Sequence, residues 1–329
     1  MYMCPCWCSK VIKRIFYGVI LGFGLTIGGV VLLSMRAGLG AGYIFDSKKQ
    51  LMKVLLLRRF GPKSIATSTL IGTYLKLTTK ALFTQQDAIH CEHILGYNVH
   101  FYDYVDFRYL FAEVFGNEEY YFTAKTKNPF IIDCGANIGM ATLYFKMLYP
   151  DAQILAFEPS RLCFDVLQKN ITTNNLSTVT AINKALSNYK GKATLLDASC
   201  GKGNLCATML FDKAEQRASY LMPIECDLLS TYITKPVDLL KLDIEGGERA
   251  VFEDLDRNGK FPLIKEMVLE YHHHIPAERE IDALGTFLAT LERYNFGYQI
   301  MGCATQMGYQ YELLGGQALI IHAYQKINK

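Results

Sequence analysis

Four stretches of this 329-residue sequence end an apolar run in residues that can do chemistry. The first is Asp133-Cys-Gly-Ala-Asn-Ile-Gly139. Glycines at 135 and 139 allow a tight turn and a close backbone approach to a ligand, and a helix starting near Gly139 would offer unpaired N–H groups. The spacing is G-x-x-x-G, not the G-x-G-x-x-G of dinucleotide binding, which disfavours a pyrophosphate. The second is Ala156-Phe-Glu158-Pro, about 25 residues beyond Asp133. A carboxylate there can accept from both hydroxyls of a ribose, in nicotinamide and adenosylmethionine binders alike. A glutamate that merely caps the helix after Pro159 is the structural alternative.

The third stretch, Leu239-Leu-Lys-Leu-Asp243-Ile-Glu245-Gly-Gly-Glu248, runs an apolar strand into a set of acids. Burying several carboxylates costs several kcal/mol unless cations, protons or donors meet them, so the cluster is functional or is an ion network around Lys241. The fourth is Met267-Val-Leu-Glu270-Tyr-His272-His-His274. A histidine titrates near neutrality and can take a proton from an attacking hydroxyl. Neighbours on a strand alternate sides, so His272 and His274 share a face and His273 does not, which argues against a zinc triad. His90, Cys91 and His93 read as a polar loop, and no metal ligands are assigned from spacing.

These residues need strand ends to hold them. Phe130 to Asp133, Gln153 to Phe157, Val179 to Asn183, Val237 to Leu242 and Glu266 to Leu269 read as strands; Met140 to Leu148 and Leu162 to Asn170 read as helices. Short β-rich runs at His100 to Tyr104 and Tyr120 to Phe122 precede them. Alternation of this kind demands right-handed crossovers and a largely parallel, doubly wound α/β sheet, with the ligand at the carboxyl ends of the strands.

The chain divides by composition into a Cys-rich basic tail (1–14), an apolar segment (15–36), a basic helical linker (37–84) and the α/β domain (85–329). Ile15 to Met35 lacks charge over about 21 positions, enough for roughly 30 Å of hydrocarbon, and is read as a single-pass transmembrane helix in preference to a cleaved signal peptide. The charges flanking it are too balanced to orient it. Cys4, Cys6 and Cys8 are open to lipidation, and the first half of the basic linker, ahead of a break at Gly61-Pro62, suits either an anionic membrane surface or the flank of the domain. A net charge of +3 without a basic, aromatic-studded patch gives no reason to expect nucleic acid. The ten cysteines form no C-x-x-C pair, as suits free thiols.

Taken in order, the segments resemble an FkbM-type methyltransferase domain. The matching pieces are Asp133 to Gly139; Phe157-Glu-Pro-Ser160 with Phe164, Leu167 and Asn170; Asn183-Lys-Ala-Leu-Ser187; Asp238 to Glu248; and Glu270 with His272. They span roughly Tyr120 to Tyr324, with Lys-x-Asp-x-Glu-Gly-x-Glu the most distinctive. The resemblance implies a class I methyltransferase fold, Rossmann-like, whose seven-stranded sheet ends in an antiparallel strand near Gln317 to Tyr324. It further implies S-adenosylmethionine as cofactor. Asp133, Gly135, Asn137 and Gly139 would hold its amino-acid part, Glu158 its ribose, and Ala185 and Leu186 would lie against its adenine. The acceptor implied is a hydroxyl, carbohydrate-like.

Methyl transfer from a sulfonium needs alignment and a nucleophile relieved of its proton. Asp243, Glu245, Glu270 and His272 are available to relieve it. One version makes His272 the base while Asp243 and Glu245 orient the ligands; a competing one has Asp243 and Glu270 hold a divalent ion such as magnesium. Two other classes stay open: an inert cofactor-binding membrane adaptor that kept the fold, and a nicotinamide-linked oxidoreductase, which the loop spacing disfavours.

Overall fold

A computed structural model describes residues 64–81, 83, 88–197, 207–209, 220–273, 283–302 and 317–326. The apolar segment 15–36, the N-terminal cysteines, the first half of the basic linker and His274 lie outside these residues. Among the described residues no helix is long and apolar enough to cross a membrane.

The second half of the linker is helix α1 (Thr67–Ala81), whose buried side chains are Leu70, Tyr74, Leu77 and Thr78. It is followed by a hairpin of β1 (His90–Ile94) and β2 (Tyr97–Phe101), so His90, Cys91 and His93 lie on a strand and not in a loop. The reason is the two-residue turn Leu95-Gly96, both with positive φ, which matches the twist of a tight hairpin. Helix α2 (Tyr104–Leu110) starts on Asp103, whose carboxylate accepts from the N–H groups of Val105 and Asp106. It runs on into a π-helical turn, Phe111–Gly116. The run Tyr120 to Phe122 is not a strand: Glu118 turns the chain with φ 53°, and Tyr120 and Phe122 are buried from an irregular segment.

Then comes the alternation itself: β3 (Phe130–Cys134), α3 (Met140–Leu148), β4 (Gln153–Phe157), α4 (Arg161–Thr173), β5 (Val179–Ile182). A subsidiary sheet follows that the sequence did not reveal, made of β6 (Ala185–Leu186), β7 (Gly191–Asp197), β8 (Ala207–Thr208) and β9 (Tyr220–Asp227) in the order β6-β9-β7-β8. The main sheet resumes with β10 (Val237–Leu242), α5 (Glu248–Arg257), β11 (Ile264–His273), α6 (Ala283–Arg293), β12 (Phe296–Gly302) and β13 (Gln317–Gln325).

The main sheet has seven strands in the order β12-β13-β11-β10-β3-β4-β5. From β5 to β11 every pairing is parallel, and β13 pairs antiparallel with both β11 and β12, as the resemblance implied. The two-residue period of each strand divides its side chains between two cores. Ile131, Leu239 and Val268 join the core under α1 to α4; Ile132, Leu240 and Leu269 join the one under α5 and α6. Burial on both faces explains why these strands read as unbroken apolar runs. The register sets Lys241 beside Asp133 on neighbouring strands at the end where the ligand-bearing loops begin.

Candidate functional site

A cavity of about 290 Å³ opens at the carboxyl ends of the parallel strands, and most of the residues singled out above meet there. Its floor is the turn after β3. Gly135 has φ +80°, Asn137 +49° and Gly139 +94°, so the chain coils through the left-handed region where glycine carries no steric cost. A Cβ on Gly135 would lie 1.8 Å from the carbonyl oxygen of Asp243, so only glycine lets the β3 and β10 loops touch. Asn170 on α4 holds the turn from outside, its side-chain N–H group donating to the carbonyls of Ile138 (2.8 Å) and His100 (3.0 Å).

Gly135 and Asn137 line the cavity; Asp133 and Gly139 do not. Asp133 is fully buried below the turn, accepting from the Thr142 hydroxyl at 2.6 Å and facing the Lys241 ammonium at 3.4 Å. It therefore reaches the ligand site only through Lys241. Gly139 instead begins α3, where a side chain would meet Leu167. Lys241 is itself buried, donating to the Gly135 carbonyl (2.7 Å) and lying 3.4 Å from Asp243. Burial alone would lower its pKa, but Asp243 and Asp133 raise it, so it stays a cation tying the ends of β3 and β10 together.

Glu158 stands at the end of β4. One carboxylate oxygen accepts from the Asn137 N–H and the other from the Ser160 N–H, each at 2.8 Å. It thus does cap the chain after Pro159, while also lining the cavity. Burial pushes its pKa up to about 7 against the help of those two N–H groups. Ala185 and Leu186, both buried, form an apolar wall on β6.

The opposite wall is acidic. Asp243, Glu245 and Glu270 all line it. Asp243 accepts from the Tyr120 hydroxyl at 2.9 Å through the same oxygen, Oδ2, that faces Lys241. Burial, then the Asp243 charge, holds the Glu270 carboxyl well above its ordinary range. Glu245 sits at φ +54° ahead of Gly246 (φ +103°), and burial raises its carboxyl too.

His272 does not line the cavity. Its Nδ1 lies 3.1 Å from Glu248 Oε1 and its Nε2 3.1 Å from Glu245 Oε2. Burial would lower its pKa, but the two carboxylates raise it to about 12. Both nitrogens of the imidazole are thus engaged by carboxylates, and neither is presented to the cavity where an acceptor would bind. Its place is behind Glu245, on a Glu248 whose Oε1 also accepts from the N–H groups of Ile244 (3.3 Å) and Gly246 (3.1 Å).

Sequence reasoning missed Tyr120, Tyr109 and Glu113, which also line the acidic side. Tyr109 and Glu113 come from α2 and its π-helical turn, and Tyr120 from the segment after it. The only local signal was the density of aromatic and acidic residues in an otherwise helical stretch.

A family model described as the methyltransferase FkbM domain matches residues 133–311. The methyltransferase sdnD of Sordaria araneosa is 32% identical over 210 residues, covering 55% of this chain and 80% of the relative. The 31-O-demethyl-FK506 methyltransferase FkbM of Streptomyces tacrolimicus is 24% identical over 221 residues, 57% of this chain and 81% of the relative. Among solved structures, a methyltransferase FkbM from Methylobacillus flagellatus KT superposes with a TM-score of 0.43 at 13% identity, covering 87% of this chain and 60% of the other.

Proposed function

The chain belongs to the FkbM methyltransferase family, and we propose that it transfers a methyl group from S-adenosylmethionine to a hydroxyl of a small, carbohydrate-like acceptor. The observation that carries this is one cavity with two chemically different halves. Gly135, Asn137, Glu158, Ala185 and Leu186 make the half suited to an adenosyl amino acid; Asp243, Glu245 and Glu270 make the half suited to hydroxyls. An oxygen acceptor agrees with the name of the Streptomyces relative, which specifies an O-demethyl substrate.

In this reading Glu158 accepts from the ribose hydroxyls with the lone pairs its two backbone donors leave free. The carboxylates of the acidic wall accept from acceptor hydroxyls and aim one of them at the sulfonium. The hydroxyl oxygen bonds the methyl carbon, the sulfur–carbon bond breaks towards sulfur, and the hydroxyl proton passes to a carboxylate. Glu270 is the carboxylate suited to receive it, because it lines the acceptor side and no hydrogen-bond donor among the described residues engages it.

The test is isothermal titration of S-adenosylmethionine, followed by a screen for S-adenosylhomocysteine release over a panel of glycosides and hydroxylated metabolites. Binding with release that falls at least a hundredfold in Glu270→Gln supports the reading. Binding with no release on any acceptor supports an inert adaptor instead, and binding of a nicotinamide cofactor in its place overturns both.

Attachment to a membrane through residues 15–36 is part of the same proposal and rests on the length and lack of charge of that segment. The expected result is a protein that stays with membranes after alkaline carbonate; its release into the supernatant sinks the idea. Two N-glycosylation sequons occur, Asn170-Ile-Thr172 and Asn175-Leu-Ser177; Asn170 is 1% exposed and fully engaged, so exposed Asn175 is the usable reporter of a lumenal domain.

A further inference from the structure

We propose that Asp243, Glu245 and His272 form a binding site for a first-row divalent cation, of the manganese type, at the acceptor side of the cavity. This deepens the methyl-transfer reading and rests on it for its purpose, though not for its geometry. One ligand atom from each of the three residues lies within 4.8 Å of the others. The 3.1 Å between His272 Nε2 and Glu245 Oε2 matches the cis edge of an octahedron whose metal–ligand bonds are about 2.1–2.2 Å.

The surroundings are those of a ligating histidine. Nδ1 is engaged by Glu248, a carboxylate only 1% exposed that two backbone N–H groups fix in turn, and Nε2 faces the cavity-lining Glu245, so an ion entering between the two displaces the second imidazole proton. A carboxylate behind a histidine, setting its tautomer and orientation, is the usual outer shell of a metal site. Asp243 commits Oδ2 to Tyr120 and Lys241, which leaves Oδ1 for an ion. Glu270, partly buried on the same wall, has no hydrogen-bond donor among the described residues and stays available beside the ion.

The ligand chemistry selects the ion. Two carboxylates with one imidazole favour a first-row metal over calcium, which takes oxygen almost exclusively. The set differs from the Asp243 and Glu270 pair considered on sequence grounds, because the ligand atoms that lie together are those of Asp243, Glu245 and His272. With the ion present, an acceptor hydroxyl would complete its coordination and become more acidic, and Glu270 would receive the proton.

The test uses the full chain, stripped with EDTA and titrated with Mn2+ alone, free ion being read by electron paramagnetic resonance. The expected result is one Mn2+ per chain, bound at least tenfold more weakly by Glu245→Gln and by Asp243→Asn. Glu253→Gln, an exposed carboxylate on α5, should bind as the unaltered chain does. His272→Ala should also weaken binding, but the two single-atom variants carry the test if it fails to fold. No stoichiometric uptake, or uptake insensitive to both variants, overturns the site. Titration of S-adenosylmethionine in EDTA separates the two claims: donor binding and turnover that persist without Mn2+ uptake refute the cation site and leave the methyltransferase reading standing, whereas Mn2+ uptake without donor binding does the reverse.

Discussion

Gly135 and Glu158 carry the donor half of the cavity by different physics, and each makes a prediction. At Gly135 the demand is steric: φ is +80° and the Asp243 carbonyl stands where a Cβ would go. Gly135→Ala should therefore push the β3 and β10 loops apart and weaken S-adenosylmethionine binding at least tenfold, as read by calorimetry; an unchanged affinity would show that the turn tolerates a side chain. At Glu158 the demand is electrostatic. Burial raises its pKa from an ordinary 4.5 to about 7, so the unliganded fold prefers the protonated form. Its stability is fully present below pH 4.5 and is lost as pH rises through about 7, at a cost of roughly 3 kcal/mol. Ribose hydroxyls want the ionised acceptor, so donor affinity should fall as pH drops through 7. Glu158→Gln should flatten both dependences, and an affinity curve with its wild-type slope in that variant would exclude Glu158 as the titrating group. Both residues were legible in the sequence because glycine spacing and a strand-end acid are local signals. His272 was not: that it is clamped between Glu245 and Glu248 depends on how α5 starts after β10, which no spacing encodes.

At the level of elements, the strands of the main sheet were readable because double-sided burial makes them apolar throughout. The subsidiary sheet escaped notice since β6 and β8 are two residues each and carry no period. The α1 helix shows how a charge that looks like a surface feature ties elements together. Glu92 on β1 is 3% exposed and meets Lys76 at 2.6 Å, Lys80, and the Tyr104 hydroxyl at 2.6 Å, joining α1, the hairpin and α2. Burial pushes the carboxyl up, but these partners outweigh it and hold it at about 2. A depressed value means the tie is present above pH 4.5 and is lost as pH falls through about 2. The lysines are nearly half exposed, so solvent screens the pairs and the contribution is on the order of 1 kcal/mol. Glu92→Gln should accelerate amide exchange across residues 67–81 at neutral pH while leaving β3 and β10 protected. Unaltered exchange in α1 would mean that its apolar face alone secures it.

For the whole molecule the question is where the folding unit begins. Composition changes near residue 84, where basic helical sequence gives way to strands, and the family match starts later still, at Asp133. Packing draws a different limit. Leu70, Tyr74 and Leu77 of α1 are 1%, 3% and 0% exposed and belong to the same core as Ile131 of β3 and Leu143 of α3. Neither composition nor family resemblance could show this, because an amphipathic helix presents the same pattern whether its apolar face meets a membrane or its own domain. Burial of three such side chains contributes about 1.5–3 kcal/mol each, together a large part of the 5–15 kcal/mol by which a typical domain is stable. A chain beginning at Ser64 should therefore melt cooperatively, and one beginning at residue 85 should melt at least about 10 °C lower or fail to fold. Because α2 and its π-helical turn rest against α1 and line the acceptor side, the shorter chain should lose acceptor turnover before it loses donor binding. Equal melting temperatures for the two chains would make α1 an appendage of the domain and not part of its folding unit.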